Sequence, residues 1–167
     1  MTKNTTAQIW ATGLVILQLL LLAALILEPV GDWWPRNTLV LVVAATLLIA
    51  GLLVAVLGIV GLGPARTASP IPKARAPLVT HGLYGLVRSP IYSGLMILGA
   101  GQVISGASWW HLATWIALVI LLAAKARWEE RMLLDVHPEF ADYASRVGRF
   151  IPGIGRWPRQ SGAGDTQ

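Results

Sequence analysis

Between Arg88 and Lys125 the chain reads SPIYSGLMILGAGQVISGASWWHLATWIALVILLAA, residues 89–124, 36 positions without one Asp, Glu, Lys or Arg. A helix needs about 20 apolar residues to cross the hydrocarbon core of a bilayer. The stretch is therefore too long for one crossing and slightly short for two full ones with a turn. It predicts a helical hairpin that turns near Gly106-Ala107-Ser108, with short helices or with polar residues carried into the interface. Two more uncharged gaps lie upstream, 24 residues between Lys3 and Glu28 and 29 between Arg36 and Arg66, each long enough for one crossing. The pattern predicts an all-α integral membrane protein with about four transmembrane helices.

Composition points the same way. Hydrophobic residues make up 55% of the 167 positions and charged residues 13%, with a mean hydropathy of +0.63; soluble domains average roughly 25% charged. Too little charge is present to cover a water-facing surface, which excludes a soluble globular enzyme, a disordered tail and a fibrous repeat. With no cysteine, disulfides, thiolate metal sites, iron–sulfur clusters and a Cys nucleophile are excluded as well. The first gap is too long for the apolar region of a signal peptide, its basic flank is a single Lys3, and no small-x-small site precedes Glu28.

The connections assign sides. EPVGDWWPRN, residues 28–37, carries Trp33 and Trp34, and the hairpin turn carries Trp109 and Trp110, like an aromatic belt at one membrane face. The opposite connection is basic. Arg66, Lys73, Arg75 and Arg88 supply +4 of the net +5 between Gly61 and Pro90, with no acid. The positive-inside rule places that loop and both termini in the cytoplasm, in an inner or plasma membrane. The basic loop reads as a topology determinant touching anionic lipid and not as a nucleic-acid patch. Lys125 to Arg149 reads as an amphipathic helix broken at Pro138, with Trp128, Met132, Leu133, Val136 and Phe140 on one face, against the membrane surface or the protein. Residues 158–167 read as a disordered tail. The chain thus divides into residues 1–60 with two helices, a core over 61–157, and the tail.

Two polar clusters flank the hairpin: LVTHGLYGLVRSPIYSG, residues 78–94, and KARWEE, residues 125–130. A hairpin returns the chain to the face it left, so His81, Tyr84, Arg88, Tyr92, Lys125, Glu129 and Glu130 share one end. Ionisable groups at that boundary are costly unless paired and are often functional. Each also has a structural reading. Arg88 can anchor in the headgroups, Lys125 and Glu129 can form an exposed i,i+4 pair, and the tyrosines can be interfacial anchors. His111 reads as solvated or interfacial beside Trp110, and His137 as a helix end. Three scattered histidines do not make a metal site, and Gly61-Leu62-Gly63 followed by Pro64 is no dinucleotide fingerprint. Gly51, Ala55 and Gly58 allow close helix packing, within the chain or between chains.

The ordered set Gly82, Tyr84, Arg88, Pro90, Tyr92, Gly94, then Glu129, Glu130, Tyr143, Arg146, Val147, Ile151 and Pro152 resembles the isoprenylcysteine carboxyl methyltransferase family, part of a wider group of membrane methyltransferases that includes phospholipid N-methyltransferases. The resemblance covers a little under half of the chain. It implies an S-adenosylmethionine-dependent methyltransferase whose cofactor pocket, open to the cytosol, is made by the last membrane helices and the C-terminal segment, with a lipophilic acceptor arriving from the bilayer. Carried over by position, it implies Leu78, Val79, Tyr84, Pro90, Tyr92 and one of Glu129 and Glu130 around the cofactor, and Lys125 near the acceptor. Where that family reads Arg-His-Pro, this chain has Arg88-Ser89-Pro90. Ser89 can donate and accept a hydrogen bond but cannot carry a proton near neutrality; His81 is the residue that could stand in.

Chemistry fits these assignments. Methyl transfer from a sulfonium is an in-line displacement that needs alignment and dryness more than acid–base groups. Glu129 or Glu130 would hold the cofactor ammonium and Arg88 its carboxylate, so Arg88 and Glu129 are the expected catalytic pair. A carboxylate acceptor needs only a cation such as Lys125 or Arg127, whereas an amine must lose a proton. The expected acceptor is a prenylcysteine-like carboxylate or other lipophilic small molecule. A phospholipid amine, or a non-catalytic scaffold on the same helices, is the alternative.

Overall fold

The computed structural model describes residues 2–63 and 78–158. Helix α1 spans Thr2–Leu27, α2 Thr38–Leu62, α3 Pro90–Gly106, α4 Trp109–Val136 and α5 Phe140–Arg146, with a 3-10 turn at Gly82–Gly85 before α3. The described residues form no β-strand, only an isolated parallel bridge between Val87 and Gly148. The basic loop with Arg66, Lys73 and Arg75, and most of the tail, lie outside the described residues.

Local chemistry sets the helix ends. Asn37 caps α2, its side-chain oxygen accepting from Val40 N at 3.0 Å. Pro90 opens α3, where its missing N–H has no helical partner to lose. Ala107 closes α3 in the left-handed region (φ 45°), its N–H returning to Val103 O at 3.1 Å. Ser108 then caps α4 through Trp110 N at 3.2 Å. The turn falls where the sequence predicts it.

α1, α2 and α4 are each long and apolar enough to cross a membrane. α3 has 17 residues, about 25 Å at about 1.5 Å each, the short member that the 36-residue gap requires. α4 has 28 residues, about 42 Å, so Lys125–Val136 is not a separate helix but the last turns of α4. Large apolar side chains stand exposed along the outer faces, among them Trp10, Leu20, Leu39, Val60 and Ile120, each above 60%. In a folded chain this pattern means lipid contact, because such continuous apolar surface is not kept in water.

α2 lies along α3, and α1 along α4. The α2–α3 contact is backbone against backbone: Ala44, Gly51, Ala55 and Gly58 are buried on α2, and Gly94 and Gly101 on α3. These small residues therefore serve packing within the chain. The α1–α4 side is filled by Leu25, Leu118 and Leu122, with Trp115 and Met96 against them.

At one end the α1–α2 loop hooks over the hairpin turn. Gly31 N donates to Gly106 O at 2.7 Å, Trp33 N to Ala107 O at 3.1 Å, and the Trp34 indole to Ile104 O at 2.9 Å. The rings of Trp33 and Trp109 stand 5.1 Å apart, so the tryptophan pairs do share one end. His111, expected to be solvated or interfacial, is neither. It is buried, 3.7 Å from the Glu28 carboxylate, because the turn folds it under the α1–α2 loop. Trp34→Phe keeps the ring but loses the bond to Ile104. We expect a loss of about 1 kcal/mol, a drop of about 2–4 °C in the unfolding midpoint in detergent, with binding at the opposite end of α3 unchanged.

At that opposite end α5 packs on the protein. Phe140, Tyr143 and Ala144 bury against Leu133, Leu134, Leu78, Val147 and Trp157. The chain after α5 then returns to the start of α3: Arg88 N donates to Gly148 O at 2.8 Å, Ser89 N to Arg149 O at 3.0 Å, and the Ser93 hydroxyl to Phe150 O at 2.8 Å.

Candidate active site

Glu129 and Glu130 sit side by side on α4 but face different ways, since adjacent helical residues do not share a face. Each organises its own group.

Glu130 holds an ion network. Its carboxylate accepts from Arg88 Nε at 2.9 Å and from Arg149 Nη2 at 2.6 Å. Arg88 further donates through Nη1 to the carbonyls of Ala144 and Val147 and through Nη2 to Gly155 O at 3.0 Å. The Arg88 side chain is 1% exposed, and four of its five N–H groups are used. Its fork ties α3, α4, α5 and the C-terminal turn into one unit.

Glu129 belongs to a second group. Tyr92 on α3 donates to Glu129 Oε1 at 2.5 Å. Lys125, one turn earlier on α4, is buried with its ammonium 5.2 Å over the Tyr92 ring, within cation–π range. Its hydrogen bond goes at 2.8 Å to the side-chain oxygen of Gln18 on α1. Among the described residues, Lys125 and Glu129 do not pair with each other, although they are four apart on one helix.

Tyr84 and Tyr143 brace the floor. The Tyr84 hydroxyl donates to Gly58 O at 3.3 Å, and the Tyr143 hydroxyl to Tyr84 O at 2.5 Å. Burial first, then the neighbouring Tyr143 and Glu129, raise the Tyr84 hydroxyl above its ordinary range. Burial likewise pushes Tyr143 up to about 12, Arg88 opposing it and Glu130 adding to it. Both phenols therefore stay protonated donors near neutrality.

The structure thus brings Tyr92, Lys125 and Glu129 together and sets Arg88 on Glu130 beside them. Ser89 and Pro90 start α3 at the same end; Leu78 and Val79 are half-buried, Leu78 packed against α5. His81 is exposed, ahead of the 3-10 turn. Sequence reasoning missed two members. Arg149 had a visible signal, a lone cation in the apolar run from Val147 to Ile151. Gln18 had a fainter one: with Thr12, it is one of two polar side chains between Ile9 and Leu27. Among the described residues no three His, Cys, Asp or Glu gather as a metal site would require.

The family described as phospholipid methyltransferase matches residues 39–139, from the first turn of α2 to the break after α4. The cobalt-zinc-cadmium resistance protein CzcN of Cupriavidus metallidurans is 35% identical over 86 residues, covering 50% of this chain and 39% of that protein. The chain therefore spans less than half the length of that relative.

Proposed function

The chain belongs to the phospholipid methyltransferase family, and from that membership we propose that it moves a methyl group from S-adenosylmethionine to a lipophilic acceptor at the Tyr92–Lys125–Glu129 group. The observation that carries this reading is a carboxylate and an ammonium, one helical turn apart on α4, that are held by Tyr92 and Gln18 and not by each other. An ion pair would satisfy both charges. Leaving them apart favours ligands that complement each one separately.

The residues present fit the cofactor. Glu129 keeps a second oxygen without a partner among the described residues, an acceptor for an ammonium. The face of Tyr92 suits a cation or a flat base, and Leu78, Val79, Tyr84, Ser89 and Pro90 would complete the wall. When bound, S-adenosylmethionine supplies an electrophilic methyl group. In this proposal Arg88 and Glu130 act as positioning residues, since their hydrogen-bonding groups already hold the C-terminal turn against the start of α3. The protein's part is to orient, to exclude water and to balance charge.

For the acceptor, a prenylcysteine-like carboxylate suits the buried Lys125 ammonium, which would orient one oxygen and leave the other to react. The second reading is a phospholipid amine, favoured by the description of the family. Both termini and the site would face the cytoplasm under the positive-inside rule.

Calorimetric titration of the detergent-solubilised protein with S-adenosylhomocysteine tests the reading. Saturable binding is expected, and Glu129→Gln should weaken it roughly 10- to 100-fold through loss of a charged hydrogen bond. No binding at millimolar ligand would leave a non-catalytic scaffold as the better account.

A further inference from the structure

Gln18 lies in the middle of α1, and 107 residues separate it from Lys125, which it meets at 2.8 Å. A neutral amide there is uncommon among the leucines of a membrane helix, and the partner it has is informative. A buried ammonium demands a hydrogen-bond acceptor. A carboxylate at this place would meet the demand and also cancel the charge. The amide meets it and leaves the charge intact.

The surroundings of Lys125 agree. The Tyr92 ring face attracts a cation without neutralising it. Among the described residues, the nearby acid, Glu129, is engaged by the Tyr92 hydroxyl, and no carboxylate lies in salt-bridge range of Lys125. Of three N–H donors on the ammonium, one goes to Gln18. The Gln18 amide uses its oxygen for Lys125, and its NH2 donates to no described residue. Lys125 and Gln18 therefore present unused N–H groups side by side, carrying a net positive charge, between α1 and α4. Two adjacent donors with one positive charge complement the two oxygens of a carboxylate, and they repel an ammonium.

We propose that Gln18 is a positioning and specificity-determining residue, which holds Lys125 as an uncancelled cation and so selects a carboxylate over uncharged groups as the methyl acceptor. The inference rests on the methyltransferase reading and adds α1 to the site, a helix that lies outside the family match at residues 39–139.

The test compares a lipophilic acid with its own neutral ester. Affinities of N-acetyl-S-farnesylcysteine and of its methyl ester are measured on the full chain, saturated with S-adenosylhomocysteine, in detergent. The wild type should prefer the acid by about tenfold, the scale of one charge-assisted hydrogen bond. Gln18→Leu should cut that preference to below about threefold while S-adenosylhomocysteine affinity stays within about twofold. Gln18→Glu, which still offers Lys125 an oxygen, should invert the preference. A wild type that binds acid and ester alike overturns the proposal. So does a Gln18→Leu chain whose S-adenosylhomocysteine affinity falls in step with its acid affinity, because that is a merely structural role. If the Leu variant cannot be extracted folded, a wild-type preference retained in Gln18→Glu overturns it equally. A wild type that selects the acid yet binds no S-adenosylhomocysteine in its own titration sinks the enzyme reading and leaves the anion site standing.

Discussion

Arg88→Met should detach the C-terminal turn. The variant is expected to lose about 3–5 kcal/mol, the usual consequence of removing one partner from a buried charged network. Met fills much of the same volume, so packing is not the cause. What is lost is the set of donors: Glu130 keeps only Arg149, the carbonyls of Val147 and Gly155 lose the Arg88 N–H groups, and Ala144 O is left with Trp157 N alone. Hydrogen exchange over residues 140–157 should rise sharply while α2 and the α3–α4 turn keep their protection. S-adenosylhomocysteine binding should disappear with it, because the start of α3, which carries Tyr92, is no longer held. Arg88→Lys should recover only part, since an ammonium offers one point charge where the fork serves four acceptors. Unaltered exchange in that segment would show that the turn is held by something else.

The second large effect is steric. Gly94→Ala and Gly13→Ala are the same chemical change in two membrane helices, and their results should have opposite signs. A Cβ at Gly94 would stand 2.5 Å from Ala55 N and 2.6 Å from Gly51 O, both backbone atoms of α2. Backbone cannot rotate aside as a side chain can, so the helices must part. We expect a cost at or above the upper end of the usual 1–3 kcal/mol for overpacking, about 3 kcal/mol. At Gly13 nothing lies within 4 Å, so alanine should be neutral or gain up to about 1 kcal/mol in helix propensity. Unfolding midpoints of the two variants in one detergent decide this, and equal midpoints would mean that α2 and α3 are not so closely apposed.

Much of this architecture could be read from the order of residues. Uncharged gaps report where a chain can be buried in lipid, and Gly106-Ala107-Ser108 carries its own turn and cap chemistry. The conjunction of Tyr92 with Glu129 was also within reach, because a hairpin of known length brings its two ends together. The remainder depends on rotation and register, which apolar helices do not encode visibly. A helix with no polar stripe, such as α2, gives no sign of which face meets α3 except its small residues. Arg88 looked like a ligand because a cation near a membrane boundary is ambiguous until its acceptors are seen, and three of those are backbone carbonyls, identical in every sequence. Gln18 met Lys125 only once α1 lay along α4. His111 was read from its neighbours in the chain, and its burial comes from a loop 80 residues away.

The return of the chain to the start of α3 also fixes an order of events during synthesis. Arg88 leaves the ribosome well before Ala144, Val147, Arg149 and Gly155, the residues that complete its network and that of Glu130. At about 5–20 residues per second, Arg88 waits several seconds at the membrane surface for its carbonyl partners, and Glu130 about one to four seconds for Arg149. Helices α1 to α4 can be inserted and paired in that interval, and the polar end closes afterwards. A chain stalled or cut before Gly155 would therefore be an inserted bundle whose polar end stays open.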